Sequence, residues 1–142
     1  MKIRLKRLDP NIPLPLCEYP GDAGYDLYSR VELTLKPGQR QVVPTGIAMA
    51  IPKGFAGFIS PRSGLAANCG ISIVNTPGLI DSSYRGEIKV VLINLDPASA
   101  FHIKPGDKIA QLLVHQVESV TFEVVENLGQ TKRGISGFGS TG

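Results

Sequence analysis

No stretch of the chain repeats apolar residues at the 3.6-residue spacing of an amphipathic helix. Short runs rich in β-branched residues recur instead. They are KIRLKRL (2–8), VELTL (31–35), QVVPTGIAMAI (41–51), FAGFIS (55–60), ISIVN (71–75), EIKVVLINL (87–95), KIAQLLVHQV (108–117) and VTFEVVE (120–126). Turn signals separate them: KPG at 36–38, PKG at 52–54, TPG at 76–78 and KPG again at 104–106. Many short strands joined by such turns predict an all-β sandwich, barrel or jelly roll. At most one short helical piece is expected, near SGLAANCG (63–70).

One run carries more information than the others. In EIKVVLINL, Ile88, Val90 and Leu92 point one way, and Val91, Ile93 and Leu95 the other. Both faces are apolar, so both are expected to be buried. In a chain of 142 residues the second face is expected to be covered by another subunit. The last ten residues, RGISGFGSTG, read in the opposite sense. They have no periodicity and cannot build a core, so composition alone describes a disordered tail.

Length and composition narrow the class. The size suits one domain with a substantial core. No apolar run reaches membrane-spanning length, and MKIRLKRLDPNIPLPL is charged and proline-broken where a secretory core would stand. The expected compartment is the cytoplasm, where Cys17 and Cys69 are expected as free thiols. The net charge of +3 and the pI near 9.0 are too mild to demand nucleic acid, and the basic residues are scattered. A small anionic ligand fits a few of them equally well. There is no P-loop, dinucleotide fingerprint, CxxC pair, zinc-deaminase signature or nucleophile elbow. The two histidines, His102 and His115, are expected on strand surfaces.

Four internal stretches hold polar groups that could carry chemistry. In ISPRSGLAANCG a strand runs into Arg62-Ser63-Gly64: a charged fork, a hydroxyl, and a glycine that lets backbone amides approach an anion. An ordinary turn with a surface arginine reads the same way. In VNTPGLIDSSYRGEIKV the Pro77-Gly78 turn is expected to fold back as a hairpin with Asn75, Asp81 and Tyr84 clustered in and beside it. An asparagine at a tight loop can read the edge of a planar base, although a carboxylate at a hairpin rim is often only a turn cap. In GDKIAQLLV, Gln111 is expected to share a strand face with Ile109 and Leu113, where a polar group needs a partner or a ligand. In AGYDLYS, Asp26 faces away from Tyr25 and Leu27 on an expected strand, as a solvated carboxylate also would.

Taken in order, AGYDLYS, PRSGLA, NTPGLIDSSYRGEI, GDKIAQLLV and RGISGFGSTG resemble the five motifs of the trimeric dUTP pyrophosphatases, the dUTPases. The resemblance runs from Ala23 to Gly142. It implies a jelly-roll-like β-barrel over residues 1–127 and a C-terminal arm over 128–142 that closes over a neighbouring subunit's active site. In the homotrimer so implied, each site draws on three chains: motifs one, two and four from one, motif three from a second, the arm from a third.

The implied reaction is hydrolysis of dUTP to dUMP and pyrophosphate, which lowers dUTP and supplies dUMP for thymidylate synthesis. Asp81 matches the catalytic aspartate that activates a water for in-line attack on the α-phosphorus. Mg²⁺ is implied on the triphosphate, with Asp26 meeting it through a bound water. Arg62, Ser63 and Gly64 match the phosphate-binding turn, and Gln111 a further phosphate contact. Asn75 with the backbone of Leu79 and Ile80 matches the uracil reader. Tyr84 matches the residue under the deoxyribose, and Lys89 lies at another substrate-proximal position. In the arm, Arg133 matches the γ-phosphate contact, Phe138 the ring stacked on uracil, and Gly139, Ser140 and Thr141 the phosphate-facing amides and hydroxyls. Two positions depart from the family: Ser136, where the arm usually reads RGxGGFGSTG, and Ser83, where an acidic residue or glycine is common. Two other readings are a deaminase of the related dCTP branch, which needs a catalytic glutamate and usually lacks the GFGSTG arm, and a non-catalytic nucleotide-binding regulator.

Overall fold

The computed structural model describes residues 1–139. They form an all-β, jelly-roll-like fold with one short helix. The strands are β1 (Arg4–Arg7), β2 (Tyr25–Tyr28), β3 (Leu33–Leu35), β4 (Arg40–Pro44), β5 (Ile47–Ala50), β6 (Phe55–Ser60), β7 (Ile71–Ile73), β8 (Gly78–Ile80), β9 (Lys89–Asn94), β10 (Phe101–Ile103) and β11 (Lys108–Gln116). The helix α1 spans Ser63–Cys69, inside the expected segment, and ends at Gly70, whose φ of 64° provides the left-handed cap.

The larger sheet runs β2-β11-β6-β8 and the next β4-β9-β7, while β1 pairs with β5 and β10 with β3. All the pairings are antiparallel. One core lies between them, built from Leu27, Leu35, Val43, Ile59, Ile71, Ile88, Leu92, Ile103 and Leu112 and their neighbours. Burying β-branched and leucine side chains from every sheet in one cluster is the dominant favourable contribution to folding.

The expected run over 41–51 is two strands in different sheets. The chain turns at Thr45-Gly46, where Gly46 has φ 73° and the buried Thr45 hydroxyl donates to the Ile88 carbonyl at 2.7 Å. ISIVN and the TPG turn do not make the expected hairpin. β7 pairs with β9 and β8 with β6, so residues 74–77 cross from one sheet to the other. VTFEVVE forms no strand. After Val117, whose N–H donates to Gly54, the chain runs on without regular structure through Gly139. Phe122 and Val124 are almost fully exposed, and no strand among the described residues pairs with their segment. The described part of the arm expected over 128–142, through Gly139, lies in this segment.

The two-sided character of β9 is real but unequal. Ile88, Val90 and Leu92 are buried, whereas Val91 and Ile93 are half-exposed and Leu95 is exposed. The register sets Val42 beside Val91, and Val74 bonds to the Val91 carbonyl, so one apolar sheet face lies open on the single chain.

A polar anchor holds the far end of β9. Asn94 is fully buried; its amide donates to Leu35 O at 3.0 Å and Ser99 O at 2.8 Å, and its carbonyl accepts from Asp96 N at 2.9 Å. Replacing it strands three backbone groups at once. Asn94→Ala should lower stability by on the order of 3 kcal/mol, read from chemical denaturation at fixed protein concentration; an unchanged midpoint would refute this anchoring role.

Candidate active site

The residues expected to meet phosphate converge because of β11. This strand lies between β2 and β6, and Gln111 stands opposite Asp26 on one side and Ser60 on the other. Ser60 leads directly into Pro61 and α1, so one register brings Asp26, Gln111 and Arg62-Ser63-Gly64 to the rim of one groove of about 880 Å³. Gln111 does have a structural partner: Nε2 donates to Pro61 O at 2.9 Å. Its Oε1 lies against Gly24, where a Cβ would come within 2.5 Å. Glycine at 24 therefore admits the glutamine.

The face of β11 differs from simple alternation. A bulge between Lys108 and Ala110 turns Ile109 into the core, where it is 1% exposed. The row facing the groove is Lys108, Gln111 and Leu113, not Ile109, Gln111 and Leu113.

Asp26, with its side chain 14% exposed, sits between two cations. Arg62 Nε is 3.1 Å from Oδ1 and Lys108 Nζ 2.8 Å from Oδ2. Lys108 also meets Glu18 Oε2 at 2.8 Å. Hydrogen bonds to Asp26 first, then to Glu18, push the Lys108 pKa up, so it remains charged throughout the neutral range. Arg62 precedes α1 with extended backbone and gives the helix no side-chain cap, since its guanidinium is turned to Asp26. Gly64 has open space around it. Lys108 and Glu18 were not singled out from sequence. The bulge that aims Lys108 has no local signature, and Glu18 meets it from 90 residues away.

A second cluster surrounds β8. Leu79 pairs with Phe58, and β8 is the edge of its sheet. Its far side therefore has backbone N–H and C=O groups without a ladder partner. Asn75 packs beside Gly78 at the start of this edge. Two small depressions adjoin and share Leu79, Ile80 and Lys89; Asn75 lines one, and Asp81 and Tyr84 line the other. Asp81 is exposed, and its carbonyl accepts from Tyr84 N at 3.1 Å, closing the turn after β8. The Tyr84 hydroxyl donates to Glu87 O at 2.9 Å. The Glu87 carboxylate in turn accepts from Gly46 N at 2.9 Å and pairs with Arg30 at 3.3 Å. Ser83 is exposed in the same loop.

The single chain does not unite these clusters: no residue lines both the groove and the two depressions. Among the described residues, none of the tail lines the groove or the depressions. Arg133 Nε donates to Ser136 O at 2.9 Å, Ser136 N donates back to Arg133 O at 3.2 Å, and Phe138 is fully exposed. Ser136 thus closes a local turn through its backbone. Gly139 is exposed, and Ser140 and Thr141 lie outside the described residues. Cys17 and Cys69 are free thiols. His102 and His115 sit on strand surfaces, His102 beside Glu32 and Thr34, His115 edge-on to Phe58. Among the described residues, no three His, Cys, Asp or Glu side chains gather as a metal cage, and no helix is long and apolar enough to cross a membrane.

Comparison with known proteins gives one consistent result. The family model described as dUTPase matches residues 10–142. A deoxyuridine 5'-triphosphate nucleotidohydrolase of Rhodococcus erythropolis is 58% identical over the whole chain, which covers 87% of that protein. One from Corynebacterium diphtheriae is 56% identical over 99% of the chain and 92% of the relative. Among solved structures, a Staphylococcus bacteriophage 80alpha dUTPase with dUpNHpp superposes with a TM-score of 0.91 at 27% identity, covering 99% of this chain and 98% of that one. A phage phi11 dUTPase variant, whose structure concerns the coordination of a structural Mg(II) ion, has a TM-score of 0.84 at 26% identity, covering 92% of this chain and 100% of that one. The family model over residues 10–142 and relatives this similar over nearly their whole length show that the chain belongs to the dUTPase family.

Proposed function

We propose that the chain is a dUTP diphosphatase that binds dUTP between copies of itself and cleaves it to dUMP and pyrophosphate. The observation that carries this reading is the division of labour on one chain: a groove with cationic and amide donors suited to phosphate, and a separate edge strand with Asn75 and Asp81 suited to a base and an attacking water.

At the base end, the free edge of β8 at Leu79 and Ile80 offers donors and acceptors in line with the Asn75 amide, as the polar edge of uracil requires. Such a pattern rejects cytosine, whose edge has a reversed donor order, and a narrow slot rejects the 5-methyl of thymine. Tyr84, held by its hydroxyl on Glu87, packs under the deoxyribose and leaves no room for a 2′-hydroxyl. Lys89 borders both depressions and stands near the substrate.

At the reacting end, the Asp81 carboxylate takes a proton from a water, whose oxygen attacks the α-phosphorus in line. The bond from that phosphorus to the bridging oxygen breaks, and pyrophosphate leaves. A carboxylate is a weak base at neutral pH, so most of the acceleration comes from positioning and charge neutralisation. Arg62, the Ser63 hydroxyl, the Gly64 amide and the Gln111 amide supply donors to phosphate oxygens.

The residues present fit Mg²⁺. The groove offers oxygen donors without a preformed cage, which suits a cation that keeps several waters and binds mainly through substrate phosphates. Asp26 would meet it through a bound water, because a carboxylate paired with Arg62 and Lys108 retains lone pairs to accept one. When bound, the ion supplies neutralisation of the triphosphate charge.

The same division supports a homotrimer with shared sites. The open face of Val42, Val74, Val91 and Ile93 and the exposed apolar residues beyond Val117 both call for cover from another copy. In that assembly the barrel comprises residues 1–127 and the arm 128–142. The arm brings Arg133 to the γ-phosphate, Phe138 over uracil, and Gly139, Ser140 and Thr141 to the phosphates.

Pyrophosphate release with Mg²⁺ should be selective for dUTP over dTTP, dCTP and UTP; equal rates on UTP and dUTP would sink the specificity claim. Asp81→Asn should keep dUTP binding and lose turnover by about a hundredfold or more. Co-expressing Asp81→Asn with Arg62→Gln should recover activity that neither variant has alone, since some mixed sites draw both intact residues from different copies. No recovery in trimers shown to be mixed would reject the shared site. Deleting residues 133–142 should leave the trimer intact by light scattering and remove most activity.

A further inference from the structure

The groove contains one cation that the reaction as described does not use. Lys108 lines it together with Arg62, Ser63, Gly64 and Gln111. It does so only because β11 bulges: under unbroken alternation, residues 109, 111 and 113 would share that row. We propose that Lys108 is a further ligand of the substrate's triphosphate, with Glu18 as the counter-ion that holds its ammonium until phosphate displaces it. The inference rests on the reading of this groove as the triphosphate site.

Charge is the first argument. The groove is lined by three carboxylates, Glu18, Asp22 and Asp26, and by two basic side chains, Arg62 and Lys108. With Lys108 committed elsewhere, a polyanion would approach three negative charges over one positive. Asp22 is occupied in its own turn, accepting from Tyr19 N at 3.0 Å. Asp26 is shared with Arg62. Lys108 is thus the cation that brings the groove near neutrality.

Donor capacity is the second. An ammonium has three N–H groups, and Asp26 and Glu18 accept two of them at 2.8 Å each. Among the described residues only Glu18 and Asp26 pair with the ammonium, and a flexible four-carbon stem can aim the remaining N–H at an incoming oxygen.

The two carboxylates are also unequal. The Glu18 side chain is 61% exposed and that of Asp26 14%. An exposed ion pair is screened by water and salt and contributes little, whereas the more enclosed Asp26 pair persists. Phosphate would therefore displace Glu18 and leave Asp26 in place, still orienting Lys108. The competing account makes Lys108 only a tether for the segment around Glu18.

The test is equilibrium binding of dUpNHpp with Mg²⁺, and of deoxyuridine separately, at two salt concentrations. Lys108→Met should weaken dUpNHpp by about tenfold or more and make its binding less salt-dependent. Deoxyuridine affinity and the thermal midpoint should stay unchanged. Lys108→Arg should retain most of the affinity, and Glu18→Gln should bind dUpNHpp at least as tightly as the wild type. If Lys108→Met does not fold, Lys108→Gln is read by the same criteria. Unchanged dUpNHpp binding in the methionine variant, equal weakening of both ligands, or a loss in Glu18→Gln matching that in Lys108→Met would overturn the proposal while leaving the proposed function intact. A wild-type protein that bound no dUpNHpp would overturn both.

Discussion

The pairing of β11 with β2 on one side and β6 on the other is the constraint on which the rest depends. It places Gln111 opposite Asp26 and Ser60 simultaneously. From that single register follow the contact of Gln111 with Pro61, the start of α1 beside Asp26, and the need for a side-chain-free residue at Gly24. A slip by one residue would turn Gln111 into the core and Leu112 into the groove. The apolar neighbours Ile109, Ala110 and Leu112, all buried, oppose that slip through the area they would expose. The groove is thus held in place by the core on the reverse side of the same strand.

Charges are arranged around this scaffold in alternating order. Glu18, Lys108, Asp26 and Arg62 form a chain in which each cation touches a carboxylate and Asp26 touches two cations. Such a network contributes little to stability where it is exposed. In the proposed function its value lies in fixing the directions of groups that would face phosphate, which places the donors before the substrate enters. The second cluster follows a different physical rule. Around β8 the important groups are backbone atoms left free by an edge strand, supported by Asn75 and by a loop closed through Asp81, Tyr84 and Glu87.

What the chain leaves uncovered is as ordered as what it buries. Val42, Val74 and Val91 lie on one open sheet face, and the segment beyond Val117 carries Val120, Phe122 and Val124 into solvent. A soluble single chain gains nothing from such exposure. In the proposed trimer these surfaces and the two incomplete clusters have one common remedy, the approach of further copies.

Much of this was legible in local sequence. Gly and Pro turns and β-branched runs determined that the fold is all-β, because those preferences act within a few residues. They also located α1 and exposed the two-sided character of β9. Ordered motifs named Asp26, Arg62, Asn75, Asp81, Tyr84 and Gln111 as candidates. The sequence did not reveal that Lys108 rather than Ile109 faces the groove, that β8 leaves β7 to pair with β6, or that 120–126 finds no strand partner. Each of these depends on which distant strand offers a matching edge. Local propensity determined the elements and their chemistry. Only tertiary structure decided register, bulge and free edge, because those are set by burial of the whole core and by hydrogen bonds between residues far apart in the chain.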